Sequence, residues 1–206
     1  MRLLDLFCGA GGASMGYWLA GFHVTGMDIA QQNDYPFAFI KADVLTLDPE
    51  FLRGFDAIHA SPPCQAYTLA QRIRGNEHPD LIPRTRALLE ASGLPWIMEN
   101  VEGAPLRDPV TLCGAMFCDL RVYRHRIFES NIDLRVPAHP EHKARLGKMG
   151  RPVREGEFMH VVGNFSGIKT AREAMGIQWM KRNALREAIP PDYTEYLGRQ
   201  LMEACK

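Results

Sequence analysis

Cysteine is scarce, and what there is has no framework: five residues, at positions 8, 64, 113, 118 and 205, fall at irregular intervals. Such spacing does not read as the paired pattern of a small secreted disulfide scaffold, so free thiols are expected. The sequence also lacks any apolar run approaching the roughly 18 residues of a membrane span. The N-terminal "MRLLDLFCGAGG" is interrupted by Asp5 and is not followed by a secretory cleavage pattern, so a cytoplasmic protein without a membrane partner is expected. Net charge is absent too, with 24 basic against 24 acidic residues. That balance lacks the broad positive field of many nucleic-acid binders, although "RVYRHR" and the stretch from Lys143 to Arg154 concentrate basic residues locally. Finally, there is no G-x-x-x-x-G-K-[ST] loop, which argues against a nucleotide triphosphatase.

What is present is enough for a core. With 46% hydrophobic and 23% charged residues, 206 residues fit one domain, or one with a small appendage. Short apolar runs closed by turn residues recur through the first hundred positions: "RLLDLF", "HVTGMD", "FAFIKAD", "FDAIHA" and "PWIMEN". Helical candidates lie between them at "ASMGYWLA", near "DPEFLRG", and at "DLIPRTRALLEASG", the last ending in a glycine stop signal. Alternation of this kind predicts a parallel α/β sheet with right-handed crossovers and a ligand at the carboxyl ends of its strands. The regularity fades after Phe128. Residues 1–128 are therefore assigned to a core, 129–168 to an irregular insertion with short β-like pieces such as "FMHVVGNF", and 169–206 to a helical segment returning to the core. Met175, Trp179 and Met180 are expected as helix core.

Two turns carry the chemistry. "DLFCGAGG" places Gly9, Gly11 and Gly12 between a strand and a helix, where bare backbone lets a ligand approach. Asp28, closing the next strand, is placed to accept from ribose hydroxyls, and Asp43, ending the third, from an exocyclic amine. Helix packing alone would also use such glycines; the two acids favour a nucleoside. In "SPPCQ", Pro62 and Pro63 fix two φ angles and present Cys64 on a stiff turn, as suits a held nucleophile and equally a structural turn. "MENV" ends the next strand, so Glu99 would share the same sheet edge, where burial would raise its pKa and let it donate a proton. In "RVYRHRIF", Arg124 and Arg126 alternate with His125; on a strand both guanidinium groups would face one side, to clamp a carbonyl or phosphate or simply to form a basic edge.

Taken in order, "DLFCGAGG", "SPPCQ", "MENV" and the R-x-R of "RHRIF" closely resemble the motifs of the DNA (cytosine-5) methyltransferases, and "IKTAREAMGIQ" and "EAIPP" are similar to that family's last two motifs. The resemblance implies a Rossmann-like class I S-adenosylmethionine-dependent methyltransferase fold, a mostly parallel sheet flanked by helices with a small irregular insertion. It implies transfer of a methyl group from S-adenosyl-L-methionine, leaving S-adenosyl-L-homocysteine, to C5 of cytosine in DNA. On this resemblance Cys64 is the nucleophile that adds to C6 of a flipped base, and Glu99 contacts N3 and the exocyclic amine. Asn100 orients the loop, Arg126 contacts O2, and Arg124 supports it. Phe7, Gly9, Gly11, Asp28, Ile29, Asp43, Val44 and Pro63 fall where the family holds its cofactor, and Gln65 and Thr68 are assigned to the substrate. Restriction-modification is a setting the family implies.

Three departures from the family shape the expectations. Val122 stands where the family usually has Gln, and Arg186-Glu187 replaces the usual Gly-Asn ahead of "AIPP". The insertion of about 40 residues is far shorter than a usual target-recognition domain; one compact DNA-reading module buries roughly 600–1,000 Å². Short or relaxed specificity, a separate specificity protein or self-association, or the same chemistry on RNA or a cytosine nucleotide are expected consequences, with a non-catalytic nucleic-acid-binding relative as the alternative class. Cys113, Cys118, His139 and His142 offer four ligands, but the gap between Cys118 and His139 is long for a compact finger and Cys113 reads as buried, so no metal is expected.

Overall fold

The computed structural model describes residues 1–67, 78–148 and 151–206. Its centre is a seven-stranded sheet: β1 (Arg2–Leu6), β2 (His23–Asp28), β3 (Ala38–Lys41), β4 (Ala57–Ala60), β5 (Trp96–Asn100), β6 (Val110–Leu112) and β7 (Arg126–Ser130), in the order β3-β2-β1-β4-β5-β7-β6. β1 to β5 pair in parallel, and β7 runs antiparallel to both β5 and β6. Five of these strands are the apolar runs read from the sequence; β6, three residues long, gave no such signal.

The central strand shows why the layers form. Successive side chains of a strand point to opposite faces. Leu3 accordingly packs with Tyr17, Phe22, Tyr193 and Leu197 on one face, and Leu4 and Leu6 pack with Ile58, Ile82, Leu89 and Met98 on the other. The first face is covered by α1 (Gly12–Leu19) and α6 (Pro191–Ala204), the second by α2 (Pro49–Leu52) and α3 (Ile82–Ser92). α1 and α6 meet at Gly16, where a Cβ would lie 2.1 Å from both the Pro191 carbonyl oxygen and Thr194 Oγ1, and Thr194 Oγ1 donates to the Ala13 carbonyl at 2.9 Å. The end of the chain is thus docked on the helix that leaves the first turn.

The later regions differ from the sequence reading in three respects. β7 extends through Ser130, and Glu129, assigned to the insertion, is a buried core residue. Its carboxylate accepts from Arg86 Nε and from an Arg86 terminal nitrogen, both at 2.7 Å, and from the Arg107 amide at 2.9 Å. Within the described part of 129–168 beyond β7 there is no strand, only an isolated bridge between Leu146 and Phe158. The far side of that insertion is nevertheless packed, since Met159, Val161 and Phe165 form a third core cluster with Val122, Met175, Ile177 and Met180. The returning segment is divided into α4 (Ile168–Met175), α5 (Arg182–Leu185) and α6. α4 stops at Gly176, so of the three residues expected as helix core only Met175 is helical; Trp179 and Met180 lie in the following connection. Among the described residues no helix is long and apolar enough to cross a membrane.

Candidate active site

The glycine turn lies at the carboxyl end of β1, where a parallel sheet exposes its strand ends to ligands. Gly11 adopts φ 85°, a left-handed conformation that a side chain would strain, and a Cβ there would meet Tyr35 and Pro36 at 3.0 Å. Phe7 also has positive φ, at 58°, so the chain reverses sharply on both sides of Cys8. Asp28 closes β2 and accepts from the Gly9 amide at 3.1 Å and the Ala30 amide at 2.9 Å. Ile29 beside it is 66% exposed, an apolar side chain left uncovered at the strand ends. Asp43 caps a short 3₁₀ turn by accepting from the Leu45 amide at 2.9 Å, and Val44 is buried beneath it. A Cβ on Gly9 would meet no atom within 4 Å, so the turn faces open space at that position. Carboxylates and an uncovered apolar side chain at neighbouring strand ends are chemically suited to a nucleoside.

The second part of the site lies at the ends of β4 and β5. Asn100 Nδ2 donates to the Pro62 carbonyl at 2.9 Å, and its Oδ1 accepts from the Val101 amide. This buried amide ties the proline turn to the neighbouring strand, fixing the base from which Cys64 projects. Glu99 is buried, and Arg126 Nε, at the start of β7, lies 2.9 Å from its Oε1. Burial pushes the Glu99 carboxyl above its ordinary range, while Arg126 and the Ser61 hydroxyl oppose the shift. Burial likewise pushes the Cys64 thiol up, with Arg126 pulling it down and Glu99 adding to the rise. The thiol, acid and guanidinium thus sense one another at one edge of the sheet. Pro63 and Gln65 are exposed there, and Thr68 lies outside the described residues.

The two arginines are not equivalent. Arg126 opens β7, but Arg124 precedes it with φ 32°, so the expected strand alternation does not extend to Arg124. Arg124 is turned into the protein, donating to the Val161 carbonyl at 3.0 Å and the Arg186 carbonyl at 2.8 Å, with Nε buried and unpartnered. Burial and the neighbouring Arg126 lower its pKa to about 9. Because Arg186 contributes its backbone oxygen, the replacement of Gly-Asn at this point leaves the Arg124 bond available whatever the side chain. Val122, where Gln is usual, is buried among the third cluster's apolar residues.

Several residues that the motifs did not single out join the site. Asp5, wholly buried in β1, accepts from Ser14 Oγ, has Oδ1 unpartnered, and is raised by burial to about 7. His59 in β4 bridges Tyr17 OH and Ser61 Oγ, both at 2.9 Å, and burial lowers it to about 3. Trp179 Nε1 donates to the Ala10 carbonyl at 2.9 Å, and the Ile189 carbonyl abuts Gly12, where a Cβ would lie 2.6 Å away. The "EAIPP" segment therefore backs the glycine turn. Polar residues inside apolar strands are the one signal that could have flagged Asp5 and His59; Trp179 had none. Of the four metal-ligand candidates, Cys113, His139 and His142 come together with His125, whereas Cys118 is exposed and is not part of that group.

The C-5 cytosine-specific DNA methylase family matches residues 1–108, just over half of the chain. Type II methyltransferase M.AgeI of Thalassovita gelatinovora is 25% identical over 190 residues, covering 82% of this chain and 44% of its own. M.FnuDI of Fusobacterium nucleatum is 32% identical over 114 residues, covering 50% of this chain and 33% of its own. The chain thus spans less than half the length of these relatives. A protein described as a DNA modification methyltransferase encoded within an E. coli prophage superposes with a TM-score of 0.71 at 14% identity, covering 99% of each chain. The S. pombe Dnmt2 methyltransferase superposes with a TM-score of 0.64 at 13% identity, covering 98% of each. At these identities the structural likeness concerns the fold, which is the class I methyltransferase arrangement. With the family matched from β1 past the end of β5, including the glycine turn, the proline-cysteine turn and Glu99, this chain belongs to the C-5 cytosine-specific DNA methylases.

Proposed function

We propose that the protein transfers a methyl group from S-adenosyl-L-methionine to C5 of cytosine in DNA, with Cys64 as covalent nucleophile. The observation that carries this is the convergence at one sheet edge of a thiol on a turn fixed by Asn100, a buried acid paired to Arg126, and an open glycine turn lined by Asp28 and Ile29. Phe7, Gly9, Gly11, Asp28, Ile29, Asp43, Val44 and Pro63 would hold the cofactor.

Cytosine C5 is a poor nucleophile, so the ring must first be activated. The Cys64 Sγ, as thiolate, forms a bond to C6 while Glu99 gives its proton to N3, so the electron pair released from the C5–C6 double bond is not left as bare negative charge. Arg126, held beside Glu99, stabilises charge on O2 as it develops. Bound S-adenosyl-L-methionine supplies an electrophilic methyl group for the activated C5. Loss of the C5 proton to solvent and return of the N3 proton to Glu99 then allow the Sγ–C6 bond to break, returning the thiolate. Burial pushes the Cys64 thiol up, and the nearby Arg126 guanidinium works against that rise in favour of the thiolate. Duplex DNA hides C6, so the base must be flipped at a cost of a few kcal/mol; contacts to Glu99 and Arg126 would offset that.

A second substrate class is favoured by a specific observation: Met159, Val161 and Phe165, within the short insertion, are committed to core packing. That leaves little chain for reading a duplex, and points to RNA, a nucleotide, or DNA delivered with help from a specificity protein or a second copy. Incubation with labelled cofactor and, in turn, duplex DNA, single-stranded DNA, RNA and dCMP separates these. Transfer to DNA that disappears in Cys64→Ser, with a trapped adduct on 5-fluorocytosine DNA, is the expected result. Transfer to none of the four would refute the activity, and an adduct surviving Cys64→Ser would refute the nucleophile.

A further inference from the structure

Away from the thiol, three histidines and a cysteine gather at the start of the insertion. Cys113 follows β6, His125 stands between the two arginines ahead of β7, and His139 and His142 form an H-x-x-H pair in the loop after β7. One ligand atom from each lies within 4.8 Å of all the others. His125 Nε2 and His139 Nε2 face each other at 3.0 Å, and Cys113 Sγ lies 3.3 Å from His142 Nε2. A tetrahedron with arms of zinc–nitrogen and zinc–sulfur length has edges of about 3.3–3.6 Å, so two of the pair distances already fall near that size. Tyr123 supports the arrangement: its ring stacks on His142 with centroids 3.7 Å apart and planes 11° apart, and its hydroxyl donates to the Ala144 carbonyl at 2.6 Å.

We infer that Cys113, His125, His139 and His142 form a closed tetrahedral site for a zinc-class divalent ion that staples the insertion to the catalytic core. One thiolate and three imidazoles suit zinc in preference to magnesium or calcium, and four protein ligands leave no open position for catalysis. On binding, the Cys113 thiol passes its proton to solvent and the three histidines coordinate as neutral rings. This differs from the expectation of no metal, which rested on a ligand set containing Cys118 in place of His125; only the folded chain brings His125 to the thiol. The consequence reaches the active site because His125 immediately precedes Arg126. Fixing its ring fixes the backbone carbonyl to which Arg126 donates at 2.8 Å, and with it the guanidinium beside Glu99.

The test measures metal, not methyl transfer, and so stands or falls independently of the activity proposed above. The full chain, purified without chelator, is expected to retain about one zinc per chain, and its cobalt-substituted form to show tetrahedral ligand-field bands with a thiolate charge-transfer band. Cys113→Ser is expected to abolish the charge-transfer band. His139→Ala, an exposed position that folding tolerates, is expected to lower zinc content well below one per chain, while Cys118→Ala keeps it. A folded wild-type chain that binds neither zinc nor cobalt in titration would overturn the site. Full zinc retention in both Cys113→Ser and His139→Ala, or loss of zinc in Cys118→Ala, would overturn this ligand set.

Discussion

The two sides of the candidate site are built by different means. Around β1 to β3, the glycine turn is shaped by neighbouring backbone: Phe7 and Gly11 supply the reversals, and Asp28, from the adjacent strand, anchors the Gly9 amide. Around β5 and β7, the groups are held by residues far apart in sequence: Asn100 on Pro62, Arg126 on Glu99, and Arg124 on carbonyls of Val161 and Arg186. The first side is also backed by the C-terminal segment, through Trp179 on the Ala10 carbonyl and the Ile189 carbonyl against Gly12. The second depends on the insertion and the C-terminal segment being in place, and this is where the chain departs from its family.

The largest effect expected from breaking this comparison is chemical. Cys64→Ser is expected to reduce methyl transfer by about three orders of magnitude or more, with an unchanged thermal midpoint; comparable transfer by the variant would remove the second side's assigned role. Next comes the buried pair that anchors β7. Glu129→Ala leaves the Arg86 guanidinium without its partner and is expected to cost about 3–5 kcal/mol in urea unfolding, whereas replacing both residues with apolar ones costs much less. A small loss in the single variant would show that β7 does not depend on that tie. On the first side, Gly11→Ala at φ 85° is expected to cost about 1–2 kcal/mol through left-handed strain, and to weaken cofactor binding more than thiol reactivity, as calorimetry and alkylation kinetics would show. Arg126→Ala should do the reverse: removing a cation that lowers the Cys64 pKa slows iodoacetamide alkylation at fixed pH and shifts its pH midpoint upward.

A separate, pH-dependent effect concerns two buried groups beneath both sides. Folding raises Asp5 to about 7, so the folded state holds that proton more tightly and stability falls as pH climbs from the carboxylate range to about 7. Folding lowers His59 from 6.5 to about 3, so its contribution runs oppositely and stability is lost as pH falls through that window. The two slopes oppose each other. Asp5→Asn removes one of them, and unfolding midpoints measured between pH 4 and 7 should then fall more steeply toward acid than in the wild type. An unchanged profile would show that Asp5 does not carry the shift.

The parallel sheet was legible because each buried strand is a short apolar run closed by a turn residue, and α3 because its periodicity ends at Gly93. β6 escaped notice because "VTL" is only three residues long and is defined by its pairing with β7. Glu129 looked like the first residue of an irregular stretch, since a charged residue in sequence carries no sign of an arginine 43 positions away. Trp179 looked like helix core for a similar reason: its indole partner, the Ala10 carbonyl, belongs to the other end of the chain. Cys64, Glu99, Asn100 and the glycine turn could be singled out because ordered motifs keep their order in sequence, whatever lies between them.

The sequence by itself determined the alternation of β1 to β5 with their helices, the stiff turn that presents Cys64, and the family to which those motifs point, because these depend on local torsions, side-chain periodicity and residue order. Tertiary structure alone decided which way Arg124 faces, that Asp5 and His59 lie buried beneath the site, and that His125 rather than Cys118 meets Cys113. Those outcomes depend on burial and on distances between segments remote in sequence, and a linear chain encodes such distances only through the packing of the whole.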